Sequence, residues 1–277
     1  MSKHLNTSDK SDIVEYYLDS PKTISAVAEH FKLSSPTVIK VLDEFKVKRW
    51  SRAKQYSPEL DEHYFAKINS HEKAYYLGLL TTDGCVFWVN DKRAVVTITL
   101  KSEDRYILKG WMDAIKCNRK IVHNEDDTYT ATVTSAAMVK DLEKYNVYPN
   151  SSTSQEFSHD IPTKYLPDYY RGLLDGDGSY GYYPRPKRNV HRKIIRMCSG
   201  SKKFMRDFIE TLSEEIDITE SSIKYTERDH TYACGWTTND DIWALIKFVY
   251  STDGPYMIRK KKIADKIIKE IRQYRDK

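Results

Sequence analysis

The chain has 277 residues, of which 40% are hydrophobic and 31% are charged, and its formal net charge is +5. This length suits one large domain or two to three smaller ones with real cores, and the charge favours an acidic partner. The four cysteines are isolated, which argues against a zinc motif, and no apolar run suggests a membrane span or a signal peptide.

The first 46 residues predict three short helices. Residues 12–18 form the first helix, Thr23 caps the second, and Ser35-Pro36 opens the third. The third helix should face inward through four apolar residues, namely Val38, Val41, Leu42 and Phe45.

The spacing of this segment resembles the helix-turn-helix pattern of DNA-binding proteins. In that arrangement the third helix enters the major groove, which implies DNA contacts from Ser35, Thr37 and Lys40. A helical hairpin with only a structural role is the alternative. The basic stretch that follows, residues 46–56, predicts a linker along a phosphate backbone, with Arg49 and Arg52 as contacts, or else a solvated connector.

A nine-residue phrase then occurs twice. Residues 76–84 read YLGLLTTDG, and residues 170–178 read YRGLLDGDG, 94 positions later. Two copies of one unit can pair about a pseudo-two-fold axis, as subunits of a homodimer do. That pairing would bring Asp83 and Asp177 together.

Each copy begins an αββαββα series, so the fold class is α+β. In the first copy, helices are predicted at 72–82, 104–115 and 135–145, with a hairpin turn at Asn90-Asp91. In the second copy, they are predicted at 166–176, 202–216 and 239–250, before a terminal helix at 259–275. We expect domains at 1–48, 64–160 and 161–277, with a linker at 49–63.

The two acidic residues indicate a cation site. An aspartate at the C-terminal end of an apolar helix faces the negative end of the helix dipole, and two such carboxylates would also repel each other. A hard divalent cation relieves both effects and prefers oxygen ligands. We therefore expect Asp83 and Asp177 as ligands, with Gly176 and Thr82 supplying oxygens from the helix ends.

These paired segments resemble the LAGLIDADG homing endonucleases in their single-chain, two-repeat form. The similarity includes residues 72–78, Pro162 with 169–179, and Tyr250 with 253–261, and it spans about residues 64–277. It implies that the motif helices form the interface between two halves, whose hairpins build a β saddle on the DNA major groove. It also implies Mg²⁺ at Asp83 and Asp177, and a monomer that cuts both strands of a long asymmetric target to support intron or gene mobility.

The resemblance also implies which basic residues contact DNA. The hairpin at 182–196 carries no acidic residue, and Arg suits guanine contacts while Lys suits phosphate. The candidates are Arg185, Lys187, Arg188, Arg192, Lys193 and Arg196, with Lys92 and Arg93 in the first half.

Many members of the family have a basic residue after each half. Lys260 fits this position in the second half as a catalytic residue, with Lys261 as the alternative in register. In the first half Ser151 stands where a lysine is expected, so one half would lack a charge that steadies the phosphate transition state. The hypothesis that follows is unequal cutting of the two strands.

Two other functions fit the same residues. One is a non-catalytic DNA-binding regulator that kept the fold, although both acidic residues are present. The other is an RNA maturase that assists splicing of its host intron RNA. We expect a cytoplasmic protein that associates with the nucleoid when it is bound to DNA.

Overall fold

Three helices form the first part of the chain in a computed structural model, which describes residues 5–50, 57–151, 153–184 and 191–275. They are α1 (Thr7–Asp19), α2 (Ile24–His30) and α3 (Ser35–Glu44). Four of the basic candidates, Arg52, Arg185, Lys187 and Arg188, lie outside the described residues.

Local capping explains where these helices begin. Asn6 and Asp9 form a reciprocal capping box, so α1 starts five residues before the predicted position. The side chains of Thr23 and Ser34 cap α2 and α3, and Pro36 occupies the first turn of α3.

The inward face of α3 is mostly as predicted. Val38, Val41 and Leu42 are buried in a small core. Phe45 is 39% exposed, so its predicted burial is wrong. The helix ends at Glu44, so Phe45 is its C-cap residue, and the chain turns away at Lys46, which has a positive φ of 54°.

Two αββαββα halves make up most of the remaining chain, which confirms the predicted α+β class. The first half contains α4 (His71–Asp83), β1 (Gly84–Asn90), β2 (Arg93–Lys101), α5 (Arg105–Ala114), β3 (Val122–His123), β4 (Thr128–Thr134) and α6 (Ala136–Glu143). The second half contains α7 (Leu166–Gly176), β5 (Gly178–Pro184), β6 (His191–Ser199), α8 (Lys202–Glu215), β7 (Lys224–Thr226), β8 (Thr231–Trp236) and α9 (Asn239–Val249). A last helix, α10, spans Ile258–Arg275. No helix in the described ranges is long and apolar enough to cross a membrane.

Each half has one four-stranded antiparallel sheet, in the orders β1-β2-β4-β3 and β5-β6-β8-β7. Alternate residues of each strand face the helices. In β2, for example, Ala94, Val96, Ile98 and Leu100 are buried against the core. Of the residues between them, Thr99 is exposed, Thr97 is partly buried and Val95 is buried, so the other face is more open, as expected for an antiparallel sheet that is covered on one side.

The two halves meet along α4 and α7. A Cβ placed on Gly78 would overlap the Tyr169 carbonyl oxygen and lie 3.1 Å from the Gly172 Cα. A Cβ on Gly172 would overlap the Tyr75 carbonyl and lie 3.0 Å from the Gly78 Cα. The contact is therefore reciprocal, and only glycine permits so close an approach of the two backbones.

Helix α10 belongs to the second half but also contacts the first half. The Tyr106 hydroxyl donates to the Tyr256 carbonyl at 3.2 Å, and the Arg259 Nε donates to the nearly buried Asp104 carboxylate at 2.6 Å. Across the helix pair, the Tyr75 hydroxyl donates to Asp175 at 2.9 Å. The start of α10 is thus fixed between the two halves.

We expect Gly78→Ala to lower the free energy of unfolding by about 2 to 3 kcal/mol, because the added methyl group forces the two helices apart. Urea unfolding of the full chain measures the change. Gly110→Ala is the matched control, since a Cβ there would meet only the hydroxyl end of the Tyr76 side chain. Equal losses in the two variants would contradict the close-approach argument.

Candidate metal centre and nucleic-acid interface

Asp83 and Asp177 lie at the ends of the two packed helices. Asp83 is the last residue of α4, and Asp177 immediately follows α7. A Cβ built on Gly176 would lie 3.4 Å from the Asp83 Cγ and would overlap the Thr82 side chain. The end of α7 therefore touches the end of α4, as the repeat predicts.

The two carboxylates influence each other. Burial and the negative charge of Asp177 raise the pKa of Asp83 to about 6, against the opposing charge of Lys260. Desolvation at this junction also raises the pKa of Asp177, although part of that residue is exposed, and Lys260 again acts in the opposite direction. A cation between them would relieve this cost.

Lys260 is nearly fully buried at the same place, at 5% exposure. Its ammonium donates to the carbonyl oxygens of Leu174 at 2.7 Å, Gly176 at 3.2 Å and Gly178 at 2.7 Å, and also to that of Asp175. Burial lowers the pKa of Lys260 to about 8, although nearby carboxylates oppose this shift. The lysine therefore binds the backbone carbonyls at the C-terminal end of α7 and brings positive charge to both aspartates.

Asp175 is a further residue of the centre that the sequence argument did not use. It is fully buried, and its carboxylate accepts from the Met257 backbone N–H at 2.7 Å and from Tyr75. Burial raises its pKa to about 6, against the effects of Lys260, Met257 and Tyr75. Asp175 binds the start of α10 while Lys260 of α10 binds the end of α7. The sequence signal that could have identified Asp175 is its position in the repeated phrase, two residues before Asp177.

Gln155 is the second residue that sequence reasoning missed. Its side-chain amide donates to the Thr81 carbonyl, and its oxygen accepts from Ser199 at 3.1 Å. Thr81 corresponds to Asp175 in the repeat, so a neutral amide binds the end of α4 where an ammonium binds the end of α7. No local pattern marks this glutamine, since the contact crosses 74 residues.

This contact corrects the role given to Ser151. Its hydroxyl donates to the Tyr148 carbonyl at 2.9 Å in the loop after α6. Gln155, four residues further along the chain, contacts the end of α4 as Lys260 contacts the end of α7. The expectation that the first half lacks a catalytic lysine stays a prediction.

The donor atoms at the centre suit a hard divalent cation. Within the described ranges, no group of three or more His, Cys, Asp and Glu side chains could hold a metal ion. The all-oxygen set of two carboxylates with the helix-end carbonyls of Gly176 and Thr82 stays a prediction, and the Gly176 carbonyl also accepts from Lys260 at 3.2 Å. The Thr82 hydroxyl already donates hydrogen bonds to the carbonyls of Gly78 and Leu79. The oxygen that Thr82 could offer to a cation is therefore its backbone carbonyl.

The basic residues of β6 divide between the two faces of the second sheet. Arg192 and Arg196 are exposed on the open face. Lys193 lies on the helix side with 8% exposure, and its ammonium is 2.6 Å from Glu270 of α10. Because adjacent residues of a strand point to opposite faces, Lys193 lies away from the open face, and this position argues against its predicted DNA contact.

The Glu270 carboxylate accepts hydrogen bonds from several donors at this position. Although burial acts to raise its pKa, hydrogen bonds from Lys193, Tyr182 and His191 lower it to about 2. Glu270 is therefore ionised at neutral pH and compensates the buried charge of Lys193.

The other predicted DNA-binding residues are placed as follows. Lys92 and Arg93 are exposed at the turn between β1 and β2. In α3, Lys40 is exposed, Ser35 is partly buried, and the Thr37 hydroxyl is 2.8 Å from that of Ser34.

Arg49, in the predicted linker, lies 3.8 Å from Asp43.

Comparison with known proteins supports the fold. No protein-family model matches the chain, and no curated protein sequence does so either. Among solved structures, the I-LtrWI LAGLIDADG homing endonuclease bound to target DNA matches with a TM-score of 0.53 at 12% identity, over 78% of this chain and 92% of that one. The LAGLIDADG meganuclease I-AabMI bound to uncleaved DNA also gives 0.53, at 11% identity, over 75% and 92%.

A third structure, the meganuclease I-SmaMI bound to uncleavable DNA, matches with a TM-score of 0.50 at 12% identity, over 74% of this chain and 97% of that one. The chain therefore has the fold of the single-chain LAGLIDADG homing endonucleases, and the resemblance inferred from the repeated phrase is confirmed at the level of the fold.

We expect Lys193→Met to lower the free energy of unfolding by about 1 to 2 kcal/mol, because Glu270 loses a charged donor. The matched control is Arg192→Met, the neighbouring residue on the open face, which should change stability by less than about 0.5 kcal/mol. Urea unfolding of both variants tests the assignment of faces. A larger loss in the Arg192 variant would contradict it.

Proposed function

We propose that the chain is a site-specific DNA endonuclease that makes metal-dependent breaks in both strands of a long asymmetric target. One observation carries the proposal: two symmetry-related carboxylates, Asp83 and Asp177, stand together where two glycine-bearing helices end. The pairing has no structural advantage by itself, because burial raises the pKa of both groups and the charge of Asp177 raises that of Asp83 further.

Divalent cations, with Mg²⁺ as the natural choice, would be held by Asp83, Asp177 and the carbonyls of Gly176 and Thr82. Such ions activate water and stabilise the attacking and leaving oxygens during phosphodiester hydrolysis. The residues of the chain place the carboxylates and fix the helix ends on which they stand, and Lys260 lowers the pKa of both carboxyl groups against the effect of burial.

Lys260 supports this centre in a way that differs from a direct contact with DNA. An ammonium has three N–H donors, and four carbonyl oxygens already surround this one. We propose that Lys260 holds the end of α7 and supplies positive charge to the carboxylates. Lys261 is a poorer candidate, because it forms an ion pair with Asp265 on the surface of α10.

DNA would lie along the open faces of the two sheets. These faces carry exposed basic residues, including Arg93, Arg192 and Arg196. The two halves differ in sequence, so a single chain acting as a monomer would recognise an asymmetric site. The three N-terminal helices, proposed as a separate domain at 1–48 joined by a linker at 49–63 to repeats at 64–160 and 161–277, would extend the contact with DNA.

The biological role would be mobility of an intron or gene. Both acidic residues argue for catalysis over a purely regulatory role, and the maturase function on host intron RNA stays a prediction. Location in the cytoplasm, on the nucleoid when DNA is bound, also stays a prediction.

Asp83→Asn and Asp177→Asn should each abolish cleavage while DNA binding persists, because the amide keeps the shape but loses the charge that binds the cation. Cleavage of a selected target is measured in Mg²⁺, and binding is measured by gel shift on the same DNA. Asp91→Asn, in the exposed turn between β1 and β2, is the matched control and should cut normally. Cleavage at the wild-type rate by the double variant would contradict the assignment.

The two strands should be cut at unequal initial rates, because a charged side chain binds the end of α7 and a neutral one binds the end of α4. A time course with a different label on each strand measures the two rates. Gln155→Lys should reduce the difference, and Gln155→Glu should not. Equal rates in the wild-type protein would contradict the argument.

A further inference from the structure

The open face of the first sheet is lined by threonines. Thr97 and Thr99 of β2 lie opposite Thr132 and Thr130 of β4, and Thr134 continues the row opposite Val95. On β1, the residues of the same face are Cys85, Phe87 and Val89, all of them exposed. The middle of this face carries threonine and apolar side chains, while Arg93 lies at one end and the Arg119 guanidinium donates to the Thr134 hydroxyl at 3.2 Å.

Most of these threonine hydroxyls already have partners inside the sheet. The hydroxyls of Thr99 and Thr130 are 2.8 Å apart, and the Asn124 amide donates to Thr130 and to Thr128 at 2.9 Å each. The Thr97 hydroxyl donates to the Cys85 carbonyl at 3.4 Å. Because hydrogen bonds within the sheet engage these hydroxyls, the methyl groups are the parts of these side chains left for an apolar contact.

The open face of the second sheet has a different chemistry. Arg192 and Arg196 stand four residues apart on β6, and Lys224 is exposed on β7. Gly235 lies opposite Arg196, where a Cβ would be 3.0 Å from the arginine Cγ. Within the ranges that the structure describes, neither guanidinium forms an ion pair, so both are available to a ligand.

These two surfaces match different groups in the DNA major groove. Arginine binds the O6 and N7 acceptors of guanine with two hydrogen bonds, and apolar groups such as the threonine methyl contact the C5 methyl of thymine. The spacing of the two arginines matches that of base pairs. Four residues along a strand span about 13 Å, which is close to the rise of about four base pairs of DNA.

We infer that the two sheets read half-sites of different base composition. The first sheet recognises thymine methyl groups, and the second recognises two guanines about four base pairs apart through Arg192 and Arg196. This inference rests on the proposed function, since it concerns the DNA that the proposed enzyme would bind. It assigns thymine recognition to the methyl groups of the threonines on β2 and β4.

The test begins with selection of bound sequences from a randomised double-stranded DNA library. The protein is the full chain carrying Asp83→Asn and Asp177→Asn, so that the DNA is not cut. The enriched site is then rebuilt with deoxyuridine for thymidine, which removes only the methyl group, or with 7-deazaguanine, which removes only N7. Each replacement is made in one half-site at a time.

Uracil in one half-site should weaken binding about tenfold, and 7-deazaguanine should do so in the other half-site. Less than a twofold change is expected when the replacements are exchanged between the halves. Enrichment of a site with no such asymmetry overturns the inference and leaves the proposed function intact. Failure to enrich any sequence contradicts the proposed function itself.

A matched pair of variants assigns the halves to the sheets. Thr132 has no side-chain hydrogen bond to the described residues, and β4 places it on the open face. Thr132→Ser removes its methyl group, and Thr132→Val removes its hydroxyl. The preference for thymine over uracil at one position should disappear in the serine variant and persist in the valine variant, whereas the reverse result overturns recognition by methyl groups.

The corresponding variant in the second sheet is Arg196→Met, which should abolish the preference for guanine at one position. Lys224→Met, its control, should weaken binding to all sequences about equally, because a lysine contributes mainly through phosphate. Guanine selection that survives in both Arg192→Met and Arg196→Met overturns the assignment of the second sheet.

Discussion

The packing of α4 against α7 is the constraint on which the molecule depends. At Gly78 and Gly172 the two backbones approach so closely that neither position can carry a side chain. Because the contact is reciprocal, it imposes the pseudo-two-fold relation of the halves and merges their interiors into one hydrophobic core. The same contact determines where the helices end, and hence where Asp83 and Asp177 stand.

The symmetry of that contact is broken immediately beside it. One helix end is bound by the ammonium of Lys260, and the other by the amide of Gln155. The second half also contains α10, which returns to Asp104 and Tyr106 of the first half. A duplicated scaffold thus carries a centre whose two sides have unequal charge. The two open faces also differ, because threonines line the first and Arg192 and Arg196 lie on the second.

The repeated phrase was sufficient to predict the fold class, the order of elements in both halves and the meeting of the two aspartates. These features follow from local periodicity and from duplication, which a single sequence displays. Lys193 shows where such reasoning fails: a run of basic residues does not reveal strand register, so it cannot show which of them face a partly buried glutamate. Gln155 and Asp175 act through contacts between segments far apart in the chain, and no local pattern encodes these contacts.

The attachment of α10 to both halves has a consequence for building hybrid proteins. A half transplanted from another protein would need more than a matching glycine helix, because the incoming partner must also supply the carboxylate and phenol that receive the start of α10. Without them, the helix that carries Lys260 keeps its contact with Asp175 but loses its contacts with the other half, and the graft would perturb the centre from a distance. The halves of this chain are therefore not interchangeable modules, and any recombination junction should keep residues 104 and 106 together with the last helix.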